Sequence, residues 1–250
     1  MTRPSRVIID IKALEHNFSR IKELVHNSKI MAIIKADAYG HGIVRVAKTL
    51  RDADAFGVAC LEEAEQLRIA SITTPIILLE GPYKPNDLSL IIKLNLEVVI
   101  HNEYQLELLE KSKIDGPIKV WLKIDTGMHR LGFSVDKTEE MLRRLMLCRN
   151  INSTPILMSH LATANEKNHA LTYQQLDTFR EISKIVNIEK TIANSAAVIN
   201  FPDVHFDWVR PGLMLYGVSP LINSCGHDHG LKSVMTLESE IISIQYLSKG

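Results

Sequence analysis

Cysteine is scarce and odd in number: the 250 residues hold three, Cys60, Cys148 and Cys225, far apart along the chain. Such a set gives no disulfide framework and fits a reducing compartment, so a cytoplasmic protein is expected. An excess of either charge is also missing. Lysine plus arginine and aspartate plus glutamate number 29 each, so no global field draws the chain to nucleic acid or to an anionic membrane. No apolar run approaches the length that crosses a bilayer, and residues 1–6 lead into a short apolar strand ending at Asp10 rather than into the long apolar region of a signal peptide. What is present is a chain of 46% hydrophobic residues, long enough to bury a substantial core as one large α/β barrel or as two smaller domains. A small-molecule role is the expectation.

From Ile30 onward, short runs rich in Val and Ile alternate with longer segments of helical period. Eight runs stand out: 30–34, 55–59, 75–79, 97–100, 119–124, 155–159, 190–193 and 207–209. Between them Ile43, Val46, Ala47 and Leu50 share one helical face, as, approximately, do Leu171, Leu176, Phe179, Ile182 and Ile185. Eight strand-then-helix repeats predict a (β/α)8 barrel of the TIM type. A further helix precedes the first of these strands, with Leu14, Phe18, Ile21 and Val25 on one face and Asp10 as its N-cap. Asn102, with Gln105 three residues on, has the spacing of a capping pair. After the eighth run the pattern changes to a polar connection over 219–233 and a strand-like stretch over 234–246. The domain reading is therefore a barrel over 1–230 and the start of an incomplete β domain over 231–250.

Catalytic groups of such barrels emerge where the strands end, so the polar residues directly after the apolar runs are the candidates. They are Lys35, Lys123, His160, Asn194, Ser195 and Arg210. A lysine leaving a buried strand can be desolvated and so offer its amine to an aldehyde as a Schiff base, although a lysine snorkelling from the rim would read the same. Ser195 stands before a short helix, where backbone N–H groups and its hydroxyl suit a phosphate or where it is simply the cap. In Arg210-Pro211-Gly212-Leu213 the glycine lets backbone amides approach that same phosphate, or serves the turn alone. Cys225-Gly226-His227-Asp228-His229 contains metal-ligand types without a complete spaced set, so a polar connector is expected there and no metal.

These residues sit in segments that resemble the alanine racemase family. Ile34-Lys35-Ala36-Asp37-Ala38-Tyr39-Gly40-His41-Gly42 resembles its attachment signature for pyridoxal phosphate (PLP), and Lys123-Ile124-Asp125-Thr126-Gly127-Met128-His129-Arg130-Leu131-Gly132 resembles a second hallmark. Residues 159–164, 194–196 and 210–217 add three more matches in the expected order. The resemblance implies that Lys35 attaches PLP and acts as one of two acid/base groups at the substrate α-carbon. It implies that Tyr39, Asn194, Ser195, Gly212 and Leu213 hold the cofactor, largely at its phosphate. Arg210 is implied to face the pyridine nitrogen, where an always-charged guanidinium disfavours ring protonation and suits racemisation better than transamination. Arg130 is implied to orient the substrate side, Lys123 matches a lysine often found carbamylated, and His160 is implied to lie near the ring.

The resemblance also implies alanine as substrate, D-alanine for peptidoglycan as product, and a homodimer. In it a tyrosine of the C-terminal β domain reaches the partner's site as the second acid/base. Tyr246 precedes the expected position of that tyrosine, so impaired turnover is expected of these 250 residues alone. Two other readings stay open: a single-domain PLP-binding or PLP-homeostasis barrel, and a PLP barrel acting on another amino acid.

Overall fold

In the computed structural model, which describes residues 4–151 and 153–249, the eight apolar runs form parallel strands that close on themselves. A short strand, β1 (Arg6–Ile9), comes first, and the barrel follows in sequential order. Its strands are β2 (Lys29–Ile33), β3 (Ala55–Val58), β4 (Ile76–Leu78), β5 (Leu96–Ile100), β6 (Val120–Lys123), β7 (Ile156–Met158), β8 (Lys190–Asn194) and β9 (Trp208–Arg210). Strand β9 pairs with β2 to close the ring. The alternation of side chains along a strand divides the core in two. Met31 and Ile33 point into the barrel with Ile77, Val99, Trp121 and Trp208, whereas Ile30, Ala32 and Ile34 join the outer layer beneath the helices. Gly57 keeps the interior open for its neighbours, since a Cβ there would lie 2.6 Å from Ile33 Cδ1.

The helix Ile11–Val25 forms as its periodicity predicts, burying Leu14, Phe18, Ile21 and Val25, with Asp10 accepting from the Ala13 N–H at 3.0 Å. Each such side chain taken out of water contributes roughly 1.5–3 kcal/mol. From the same face the buried Asn17 donates to the carbonyls of Leu215 and Lys232 and accepts from the Lys232 N–H at 2.7 Å, fastening the segment after the barrel. Asn102 caps its helix by accepting from the Gln105 N–H at 2.9 Å, while Gln105 reaches back to the His101 N–H rather than to that of Asn102.

Of the strand-like stretch 234–246, only β10 (Met235–Glu238) is a strand, and its partner is β1, antiparallel. Residues 6–9 thus pair outside the barrel, in a two-stranded sheet, rather than with the barrel strands. Ile241, Ile242, Ile244 and Tyr246 have the composition of a strand but stand exposed, because a strand needs a hydrogen-bonding partner as well as propensity and β1 offers only four positions. No helix among the described residues is long and apolar enough to cross a membrane.

Candidate active site

At the C-terminal mouth of the barrel lies a cavity of about 600 Å³. All ten residues singled out from the sequence line it: Lys35, Tyr39, Lys123, Arg130, His160, Asn194, Ser195, Arg210, Gly212 and Leu213. They converge because each ends or follows a strand of one closed parallel sheet, so residues up to 178 positions apart in the chain share one mouth.

Lys35 leaves β2 into a helical turn of unusual hand. Ala36, Asp37, Ala38 and Tyr39 have φ of 53°, 52°, 54° and 55°, and Gly40 follows at 81°. A non-glycine residue in that region costs on the order of 1–2 kcal/mol, so four in succession need external support. Asp37 Oδ1 accepts from the Ile43 N–H at 2.7 Å. Glu63 spans two loops, taking the Asp37 N–H on one oxygen at 3.1 Å and the Ala59 N–H on the other at 2.8 Å. The turn brings Tyr39 to Gly212, where a Cβ would come within 2.8 Å of the tyrosine oxygen, so any larger residue there would displace the Tyr39 hydroxyl.

Ser195 is not the cap of its helix. Asn194 is, accepting from the Ala197 N–H at 3.1 Å and donating to Leu161 O at 3.2 Å. With that position filled, the Ser195 hydroxyl turns to the neighbouring loop and accepts from the Gly212 N–H at 2.8 Å. Hydroxyls of Tyr39 and Ser195 and the backbone of Gly212 therefore meet at one end of the cavity, a polar cradle that a side chain on Gly212 would fill.

The walls are cationic. Lys35, Lys123, Arg130 and Arg210 line the cavity against one acid, Glu80, and none of the four forms an ion pair among the described residues. Burial, reinforced by Arg210, Arg130 and Lys35, pulls the Lys123 amine down to about 8. It is Lys123, not Lys35, that is the buried lysine of this mouth; Lys35 is only half-buried because it sits two residues past its strand, whereas Lys123 is the last residue of its own. Arg210 is fully engaged below, donating to the Thr191 hydroxyl and Ser159 O, and burial lowers it to about 9, still charged at neutral pH. Its guanidinium also reaches His160 Nδ1 at 3.4 Å. Burial and then that same guanidinium hold the imidazole well below its usual pKa, so His160 is neutral with Nδ1 as acceptor.

Arg130 is delivered by the loop after β6. Asp125 Oδ1 accepts from the N–H groups of Gly127, Met128 and His129 at 2.9–3.0 Å, winding the chain into a tight turn. Burial opposes the charge on Asp125, but the donors at Gly127 and His129 prevail and keep its pKa below the ordinary range. The chain returns through Gly132, where a Cβ would lie 2.6 Å from Asp125 N.

Three contributors escaped the sequence reading. Glu80 lies two residues past the third barrel strand, accepts a hydrogen bond from Tyr83 through its carboxylate, and has its carbonyl held by His101 and Gln105. Its place directly after the run 75–79 was the signal. Thr191 and Glu63 act from within a strand and a helix, where no local pattern marks them. In the 225–229 segment, Asp228 accepts from the Cys225 N–H and His229 Nε2 lies 2.9 Å from Ser224 Oγ, bonds that fold the connector on itself. No three metal-ligand side chains gather among the described residues.

Comparison with known proteins agrees with this geometry. A profile described as "Alanine racemase, N-terminal domain" matches residues 9–220. The alanine racemase of Nitrosococcus oceani is 49% identical over 245 residues, covering 98% of this chain and 68% of that protein. The biosynthetic alanine racemase of Escherichia coli K12 is 45% identical over 240 residues, covering 96% and 67%. Among solved structures, biosynthetic alanine racemase from Pseudomonas aeruginosa superposes with a TM-score of 0.90 at 40% identity, covering 94% of this chain and 66% of that one. The chain thus spans about two thirds of the length of the relatives it matches. Identity of 49% along nearly the whole chain, carried on a barrel that superposes at a TM-score of 0.90, makes this chain a member of the alanine racemase family.

Proposed function

We propose that this chain carries the PLP-binding, lysine-bearing side of a racemase that interconverts L- and D-alanine. The observation that supports it most is electrostatic: four cationic side chains without an ion-pair partner among the described residues share one cavity, and one of them is an amine just past a barrel strand. Two of the four, Lys123 and Arg210, are buried, and unpaired cations gathered around one cavity call for anions, which a cofactor phosphate together with a substrate carboxylate supplies. The cradle of Tyr39, Ser195 and Gly212 suits the phosphate, with Asn194 and Leu213 flanking it.

Alanine racemases are PLP-dependent, and the bound cofactor supplies an aldehyde that condenses with amines and a ring that spreads the negative charge left by a departing α-proton. Lys35 Nζ holds the cofactor and moves the proton at the α-carbon on its own face. Arg210, fixed by Thr191 and Ser159 and still charged, would face the ring nitrogen of the cofactor and disfavour its protonation, which suits racemisation. Neutral His160, bonded to Arg210, would lie beside the cofactor ring. Arg130 orients the substrate carboxylate. Lys123, at about 8, is neutral in roughly a tenth of molecules at pH 7 and so is open to carbon dioxide. The neutral amine adds carbon dioxide at its nitrogen with loss of one proton, so that, counted from the ammonium form, two protons leave and a positive charge would be replaced by a negative one facing Arg130 and Arg210.

Racemisation also needs a proton donor on the opposite face, which in the family resemblance is a tyrosine from the partner subunit's β domain. A homodimer and a cytoplasmic supply of D-alanine for peptidoglycan complete the reading. The test is borohydride reduction of the protein after incubation with PLP: a pyridoxyl adduct is expected on Lys35 by peptide mass and none in Lys35→Ala, and an unmodified Lys35 sinks the proposal. Chiral analysis of alanine exposed to the 250-residue chain alone is expected to show little interconversion; brisk racemisation would remove the need for the second group.

A further inference from the structure

The left-handed turn that carries Tyr39 is held at one end by Asp37 and Glu63 and at the other by His41. The His41 ring is buried, and its Nδ1 lies 3.0 Å from Ala38 O and 3.1 Å from Tyr39 O. With two carbonyls in front of it, Nδ1 must carry the hydrogen, and it donates to the last two residues of the left-handed run. Its other nitrogen, Nε2, is buried without a partner. The ring also lies 4.5 Å, centroid to centroid, from that of Tyr216, which in turn lies 4.9 Å from the Tyr39 ring and donates its hydroxyl to Ile33 O at 3.1 Å.

Packing alone does not account for a histidine here. A phenyl ring would fill the space without leaving a buried nitrogen unsatisfied, and an orphaned polar atom is destabilising. What histidine adds is the Nδ1–H, aimed at the carbonyl of Tyr39 itself and the one before it. We propose that His41 is a positioning residue for Tyr39: by tying down the end of the left-handed turn it holds the Tyr39 hydroxyl in the cradle beside Gly212, and so sets how strongly the site recognises the phosphate group of the cofactor. This rests on the phosphate reading of the cradle given above. Lys35, at the start of the turn, is held by different contacts, because Ala38 N bonds to Ile34 O and Tyr216 to Ile33 O. Loosening the far end should therefore weaken phosphate recognition more than aldehyde capture.

The experiment compares binding of PLP with that of pyridoxal, which has the aldehyde and lacks the phosphate, by absorbance titration of the 250-residue chain. The wild type should prefer PLP. His41→Phe should lose about tenfold of that preference, equivalent to ~1.4 kcal/mol, with its thermal midpoint little changed. His41→Asn, whose amide can replace Nδ1–H, should keep the preference to within about threefold of wild type. If His41 acts through Tyr39, the double variant His41→Phe/Tyr39→Phe should be no worse than Tyr39→Phe alone. An equal fall for both ligands in His41→Phe, or additive losses in the double variant, overturns the proposal. Should the phenyl ring not be accommodated, His41→Leu is read in the same way. A wild type that binds both ligands well but equally would overturn the phosphate reading of the cradle as well, whereas a variant-specific failure overturns the role of His41 alone.

Discussion

The two ends of the barrel follow opposite electrostatic rules. At the N-terminal end, Glu97 pairs with Lys119 at 3.1 Å and accepts from the Trp121 indole at 2.7 Å, while Glu189 pairs with Lys29 and accepts from the Trp208 indole, each at 2.8 Å. The two indoles meet edge to face with centroids 5.3 Å apart and plug the interior. Lys29 first, and then Trp208, hold the Glu189 carboxyl below its ordinary pKa. At the C-terminal mouth, four cations converge without a carboxylate paired to them, and burial works against the charge of Lys123 instead of with it. One end satisfies its charges within the chain and stabilises the fold. The other leaves them for a ligand, and the fold bears the cost.

The sharpest way to break this contrast is to remove the plug. Trp121→Ala deletes a fully buried side chain and orphans one hydrogen bond to Glu97, and a loss of about 3–5 kcal/mol is expected in denaturant unfolding. The PLP adduct on Lys35 should still form in the protein that remains folded. Loss of the adduct without loss of stability would show that the two ends are not separable.

A middle-sized effect of opposite sign is expected at the mouth. The Lys123 amine is at about 8 in the folded chain against an ordinary 10.5, so between those values the unfolded chain holds a proton that the folded one has released. Stability should therefore rise with pH across that window, while below about 8 the folded state carries the whole penalty, on the order of 3 kcal/mol. Lys123→Met should raise stability at neutral pH and flatten that rise. Equilibrium unfolding from pH 7 to 10.5 measures both, and a destabilised Lys123→Met variant would mean that the lysine is held by partners after all.

The smallest effect belongs to neither end. Arg6 and Glu238 pair across the two-stranded sheet with side chains 72% and 43% exposed. Exposed pairs contribute about 0–1 kcal/mol, so Arg6→Ala should shift unfolding by less than ~0.5 kcal/mol, and less again in high salt. A larger shift would make the small sheet a structural partner of the barrel.

Much of this was legible before any coordinates. The runs of Val and Ile found all eight barrel strands to within a residue or so, because a parallel strand covered on both faces is apolar throughout and bounded by polar residues. Reading the residue after each run gave Lys35, His160 and Arg210 directly. The left-handed turn was not legible: Ala36, Asp37, Ala38 and Tyr39 contain no glycine, and a hand that local sterics disfavour is imposed only by Asp37, Glu63 and His41 acting together. That Asn194 rather than Ser195 caps the helix was hidden for a similar reason, since both are good caps and the proximity of Gly212 gives the Ser195 hydroxyl another partner.

By itself the sequence determined the barrel, the order of its strands and the set of polar residues at their ends, because hydrophobic period and chain order are local properties that survive in one dimension. Only the tertiary structure decided which lysine is buried, which histidine nitrogen accepts, that β1 pairs with β10 and that Tyr39 lies against Gly212. Those outcomes depend on burial and on contacts between groups up to 232 residues apart, and the free energy of a charge or a strained backbone is set by such neighbours rather than by the residues beside it in the chain.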